Sequence, residues 1–185
     1  MNFYNSVKET SVPVFRTSPV IIIISTTVLY LTKPSLKTFE ILCAVTVSLM
    51  SVKVFKVLAE AIMKDKSFFM LGSGLRPKGA KNCGLFKNNK FSTSFGMPSG
   101  HVILAASFAT SMGFYIMEHR NMTYNTKIGI IIALAVVTYS IQLSRITLGC
   151  HTVAQVVVGL LLGTGISSGI HYLFKFYDNE KSEPN

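Results

Sequence analysis

The residues able to do chemistry fall in three short clusters. Arg76-Pro77 lies in a basic stretch, Pro98-Ser99-Gly100-His101 closes that stretch, and Ser144-Arg145 is followed after five residues by His151. Two arginines can clamp a phosphate through paired N–H donors. Pro98 suits the start of a helix. Ser99, Gly100 and His101 would then offer free backbone N–H groups at the positive end of its dipole, and Gly100 leaves room for close approach. Histidine serves near neutral pH as a nucleophile and as a proton carrier. His151 and Gln155 are four apart, so they share a helix face. Gln155 can accept a hydrogen bond from one ring nitrogen and leave the other free to attack. The chemistry implied is phosphoryl transfer, which needs mainly positioning and charge stabilisation.

The elements that carry these clusters are apolar. Five segments stand out: 19–32, 38–63, 101–117, 128–143 and 151–174. A span needs ~20 residues, so the first is short unless 12–18 extend it. Lipid leaves open strand edges unsatisfied, so the expected fold class is all-α, a polytopic transmembrane helical bundle of about five spans. Gly159 and Gly163 form a small-xxx-small pair suited to close helix contact. The organisation expected is an N-terminal segment 1–18, a membrane-embedded domain 19–174 with a basic loop 64–100, and a polar tail 175–185.

If each segment crosses once, the end of the second, the start of the third, the end of the fourth and the start of the fifth share one membrane face. His101, His151, Arg76 and Arg145 then converge there. Lysines are plentiful nearby. Lys53, Lys56, Glu60 and Lys64 fall on one face of the second segment. Lys53 and Lys56 either snorkel to the interface or face a wet cavity, and a cavity is favoured for Lys64. Lys78, Lys81, Lys87 and Lys90 read as a surface that attracts lipid headgroups.

Composition narrows the partners. Only 14% of the 185 residues are charged, against about 25% in soluble domains, and the mean hydropathy is +0.45. The net charge is +10, which invites nucleic acid as a partner. The cations lie between apolar runs, however, so an anionic lipid or phosphorylated substrate fits and nucleic acid does not. Cys43, Cys83 and Cys150 show no CxxC spacing and no paired framework, so neither a metal site nor a disulfide scaffold is expected. No cofactor is called for, and the oligomeric state is not legible. Cys150 cannot face His151 across a helix, and His119 and His171 read as structural.

Arg-Pro, then Pro-Ser-Gly-His, then Ser-Arg-x5-His, in that order, resembles the type-2 phosphatidic acid phosphatase superfamily. Within it, Phe95 to Ser99, Ser144-Arg145 through His151-Thr152, Gln155-Val156 and Gly159 are similar to the dolichyldiphosphatase branch. The resemblance runs in pieces over 19–163. It implies a membrane enzyme that cleaves a polyisoprenyl diphosphate to the monophosphate through a phosphohistidine, without metal. His151 would attack phosphorus and His101 would protonate the leaving oxygen. Arg76, Arg145, Ser99, Gly100 and a lysine would hold the phosphoryl oxygens. A phosphatidate-type phosphatase and a non-catalytic lipid-binding protein are the alternatives.

Two positions depart from the family pattern. A lysine is expected seven residues before the arginine of Arg-Pro, where this chain has Phe69. Lys64 is the expected substitute, with Lys66 the alternative. Gln155 stands where most of the superfamily has aspartate. An amide can orient His151 without charging its surroundings, so Gln155→Asp is expected to be tolerated. The family's site faces the lumen or exterior, which places this one on the luminal side of the endoplasmic reticulum or another endomembrane. The positive-inside rule would put the basic loop in the cytoplasm, but those cations have a substrate to bind. The sequon Asn121-Met122-Thr123 lies on the opposite face.

Overall fold

The apolar runs form five helices: α1 (Phe3–Thr32), α2 (Leu36–Met63), α3 (Gly100–Glu118), α4 (Tyr124–Thr147) and α5 (Val153–Ser182). The structure is a computed structural model. It describes residues 3–63, 66, 68–81, 83–85, 91–92 and 94–182, with side chains from Phe15 to Glu180. All five helices are long and apolar enough to cross a membrane. Their outward faces are apolar rather than charged: Leu31, Met50, Val57, Leu161 and Leu173 are all exposed. A helix suits that setting because it satisfies its own backbone where no water can.

α1 and α5 run further than the apolar signal. The apolar part of α1 is Phe15–Thr32, so residues before 19 do extend the first span, and the helix runs on through residue 18. α5 continues through the polar stretch to Ser182. Pro19 sits inside α1 and has no N–H to give the Phe15 carbonyl. The Ser18 hydroxyl donates to it instead, at 2.9 Å.

α3 is the axis of the bundle and packs against all four other helices. Its residues from Val102 to Ser107 are buried. α5 comes closest, through its glycines. A methyl at Gly159 would stand 2.9 Å from the Ser99 carbonyl oxygen, and one at Gly163 would overlap the Ile103 carbonyl oxygen. The pair noted in the sequence therefore sets the α3–α5 distance. Serines fasten α3 on two sides: Ser167 of α5 donates to the Ser107 carbonyl at 3.0 Å, and Ser107 donates to the Ala44 carbonyl of α2 at 3.2 Å. His171 lies at the far end of the bundle, 2.9 Å from a Glu40 oxygen and stacked on Phe114. It has no part in the clusters above.

Candidate active site

The turn from α4 to α5 explains the five-residue gap between Arg145 and His151. Gly149 has φ +64°, the left-handed conformation that ends a helix. The chain doubles back, and the N–H groups of Cys150 and His151 both donate to the Arg145 carbonyl, at 3.1 and 3.2 Å. Arg145 and His151 are thereby locked together. Arg145 is fully buried. Its Nη2 donates to the Cys83 carbonyl at 2.6 Å, while its Nε and Nη1 meet no partner among the described residues.

His151 is held in one orientation by Gln155. The Gln155 Nε2 donates to the Gly74 and Leu75 carbonyls at 3.1 and 2.7 Å, so its Oε1 must be the acceptor. That oxygen lies 3.1 Å from His151 Nδ1 and also takes the Thr152 N–H at 3.2 Å. The proton of the ring is thus on Nδ1, and Nε2 presents a lone pair. Arg76 Nη1 lies 3.3 Å from that lone pair. Burial first, then the charges of Arg76, Arg145 and Lys56, hold the imidazole pKa down to about 2, against the opposing Gln155 bond. The ring is neutral, as a nucleophile must be.

Arg76 crosses from the loop to this turn. Its Nη1 donates to the Cys150 carbonyl at 2.9 Å, its Nε to the Ser94 carbonyl at 3.0 Å and its Nη2 to Ser94 Oγ at 3.0 Å. Burial draws its guanidinium below the ordinary arginine range. A disulfide, Cys83–Cys150, fastens the same loop beside His151. This corrects the reading of the cysteines. Their separation of 67 residues carries no local spacing signal, and only the fold brings them together.

His101 stands at the start of α3. Its Nε2 is 3.1 Å from the Arg16 carbonyl of α1. A carbonyl only accepts, so Nε2 carries the proton and Nδ1 is the nitrogen left for a substrate. The helix begins at Gly100 with Ser99 as its N-cap, two residues later than a start at Pro98. The Ser99 N–H is engaged by the Gln155 carbonyl at 3.1 Å, so it is not the free donor expected. Gly100 and His101 lead the first turn, where N–H groups lack intrahelical acceptors. Ser99 Oγ is buried without a partner among the described residues.

The structure places a different lysine in the site from the one the sequence favoured, which it leaves untested. Lys64 lies outside the described residues, and Lys66 is exposed. Phe69 is 95% exposed at a loop tip. Lys56, half-buried on α2, donates to the Phe95 carbonyl, and its charge acts on both histidines along with those of Arg76 and Arg145. Lys53 and Glu60 on the same helix are exposed. The structure therefore brings together His101, His151, Arg76, Arg145, Ser99, Gly100, Gln155 and Lys56. The sequence left Lys56 undecided because a cation about two turns from a span's end fits a snorkel as well as a cavity.

Every charge that bears on the two histidines is positive. Buried like charges with orphaned donors are costly unless an anion completes them. Among the described residues no group of three or more His, Cys, Asp or Glu could hold a metal ion. The cluster is built for an oxyanion.

A sequence model of the PAP2 superfamily matches residues 38–178, three quarters of the chain. The chain belongs to the PAP2 superfamily. As a PAP2 protein with five helices fit to cross a membrane, it is a membrane-embedded phosphatase. Its fold is similar to that of a solved structure, the first transmembrane PAP2-type phosphatidylglycerolphosphate phosphatase from Bacillus subtilis. The likeness has a TM-score of 0.62 at 22% identity, over 99% of this chain and 80% of that one. A search of curated proteins found no match.

The geometry reverses one expectation about Gln155. Aspartate has no N–H to give the Gly74 and Leu75 carbonyls, and its carboxylate would face them directly. Each buried acceptor left unmet costs ~1–3 kcal/mol. Gln155→Asp should lower the melting temperature and reduce kcat/KM by about tenfold or more. The added negative charge also raises the His151 pKa. The ring then stays protonated to higher pH, and the acidic limb of the rate profile moves upward. A thermal melt and a pH–rate profile check both; unchanged stability and an unmoved limb would mean that the amide bonds do not hold His151.

Proposed function

We propose that this PAP2 phosphatase hydrolyses a polyisoprenyl diphosphate of the dolichyl type to the monophosphate through a phosphohistidine on His151. The observation that carries this reading is a neutral histidine, its lone pair fixed on Nε2 by Gln155, set among Arg76, Arg145 and Lys56. Nε2 attacks the terminal phosphorus and the bond to the bridging oxygen breaks. His101, carrying a second proton on Nδ1 once the anionic substrate is bound while Nε2–H stays on the Arg16 carbonyl, gives that Nδ1 proton to the bridging oxygen, and the lipid monophosphate leaves. A water then attacks the phosphohistidine, passing a proton to His101. The N–P bond breaks, and inorganic phosphate and neutral His151 result. The arginines and Lys56 stabilise the charge on the equatorial oxygens throughout.

The choice of a diphosphate over a phosphatidate-type lipid rests on the resemblance around Gln155. Phosphate release by the purified protein in detergent, with EDTA present, tests it. A polyprenyl diphosphate should be cleaved with higher kcat/KM than phosphatidate. A preference for phosphatidate would reassign the substrate.

The site faces the lumen or exterior in this reading. Disulfides persist in oxidising compartments, and Cys83–Cys150 lies on the site's own face of the bundle. An engineered sequon on a short spacer after Lys78 should therefore be glycosylated in eukaryotic membranes, and one beside Asn121 should not. Glycosylation beside Asn121 alone would put the site in the cytoplasm.

A further inference from the structure

We infer that the hairpin Phe68–Gly72 dips into the bilayer beside the site and seats the site's entrance against the lipid surface. Paired main-chain bonds close the hairpin. The Phe68 N–H donates to the Gly72 carbonyl at 3.0 Å, and the Gly72 N–H to the Phe68 carbonyl at 2.9 Å. The turn between them is apolar and outermost. Phe69 is 95% exposed and Met70 82%, and Phe68, Leu71 and Leu75 are exposed too. Single exposed apolar residues are ordinary, but a contiguous patch marks a surface that something apolar covers. Met70 has φ +67°, a conformation that glycine or asparagine fills readily in a water-facing turn. Methionine there keeps an apolar side chain at the tip in spite of the strain.

Two observations name the bilayer as the cover. The first is position. Phe68 and Leu71 line a groove of about 370 Å³ together with Leu58 and Ile62 of α2 and Val158 and Leu162 of α5. Val158 and Leu162 stand about 8 and 14 Å along α5 from its first residue, Val153. The hairpin therefore turns back beside the apolar length of α5 rather than standing clear of it. Leu58, Ile62 and Leu161 are exposed nearby, and the tip continues their lipid-facing surface. The second observation is charge. Lys66 and Lys78, on either side of the hairpin, are exposed, and residues 66–100 contain no Asp or Glu. An aromatic, apolar tip flanked by cations inserts at an interface while the cations meet anionic headgroups.

The same groove reaches the catalytic turn. Met97 and Pro98 line it and lead directly into Ser99 and Gly100. The hairpin thus sets the height of the site against the leaflet from which a lipid enters. This goes beyond the catalytic reading and holds for any lipid phosphate.

Fluorescence tests it. The chain has no tryptophan, so Phe69→Trp carries the sole indole. The whole chain with this substitution is reconstituted in vesicles of phosphatidylcholine and phosphatidylserine. Its emission should lie to the blue of an indole in water, resist aqueous acrylamide, and be quenched by phosphatidylcholine brominated near the headgroup end of its chains. Quenching by acrylamide alone overturns the inference. So does protection from both quenchers, which would mean that a second copy of the chain covers the tip. Activity gives an independent measure. Phe69→Asp should raise KM for a polyprenyl diphosphate in those vesicles by about tenfold, the worth of one buried aromatic side chain. It should leave kcat/KM for water-soluble nitrophenyl phosphate unchanged. An unchanged KM in vesicles, or an equal loss on both substrates, overturns the inference. Failure of the diphosphatase reading shows separately, as no cleavage of the diphosphate by the wild type, and leaves the fluorescence test intact.

Discussion

His151→Ala should abolish turnover while the chain still inserts and folds. The loss expected is about 10⁵–10⁶-fold, the scale on which removal of a covalent nucleophile acts. Nothing else in the cluster can replace it. His101 is assigned to the leaving oxygen rather than to phosphorus, and Cys150 is engaged in the disulfide with Cys83. The fold should survive because Gln155 keeps its bonds to Gly74, Leu75 and Thr152. Rates with a lipid diphosphate, beside size-exclusion profiles in detergent, check both halves. Turnover within tenfold of the wild type would remove His151 from the reaction.

His101→Ala should slow cleavage by ~10²–10⁴-fold, the usual worth of a general acid. The loss should depend on the leaving group. An alkyl or prenyl phosphate needs a proton on its departing oxygen and should suffer in full. A nitrophenyl phosphate leaves as a stabilised anion and should suffer far less. Comparison of the two substrates in wild type and variant measures this directly. An equal loss on both would mean that His101 only shapes the site.

Much of this arrangement was legible in the sequence. Alternating spans place the two histidines and two arginines on one membrane face, and the structure brings His101, His151, Arg76 and Arg145 together there. The i to i+4 relation of His151 and Gln155 gave their contact in advance. What escaped the sequence depends on packing between distant elements. Gln155 as a double donor requires the Gly74 and Leu75 carbonyls, which the loop delivers from 80 and 81 residues away. Cys83 and Cys150 meet only because that loop folds onto the α4–α5 turn. Lys56 needed the rotation of α2 to be known. Arg16 read as part of a segment preceding the membrane domain, whereas α1 carries it into the bundle, one turn before Pro19.

The central claim is that phosphate passes through Nε2 of His151. Quenching of the enzyme at short times in alkaline denaturant, with a substrate labelled in its terminal phosphate, tests that most directly. The account predicts a labelled phosphoenzyme that is stable to base and labile to acid, as a phosphohistidine is. It should map to the peptide containing His151 and be absent in His151→Ala. A label on any other residue, or one that persists in His151→Ala, would contradict it.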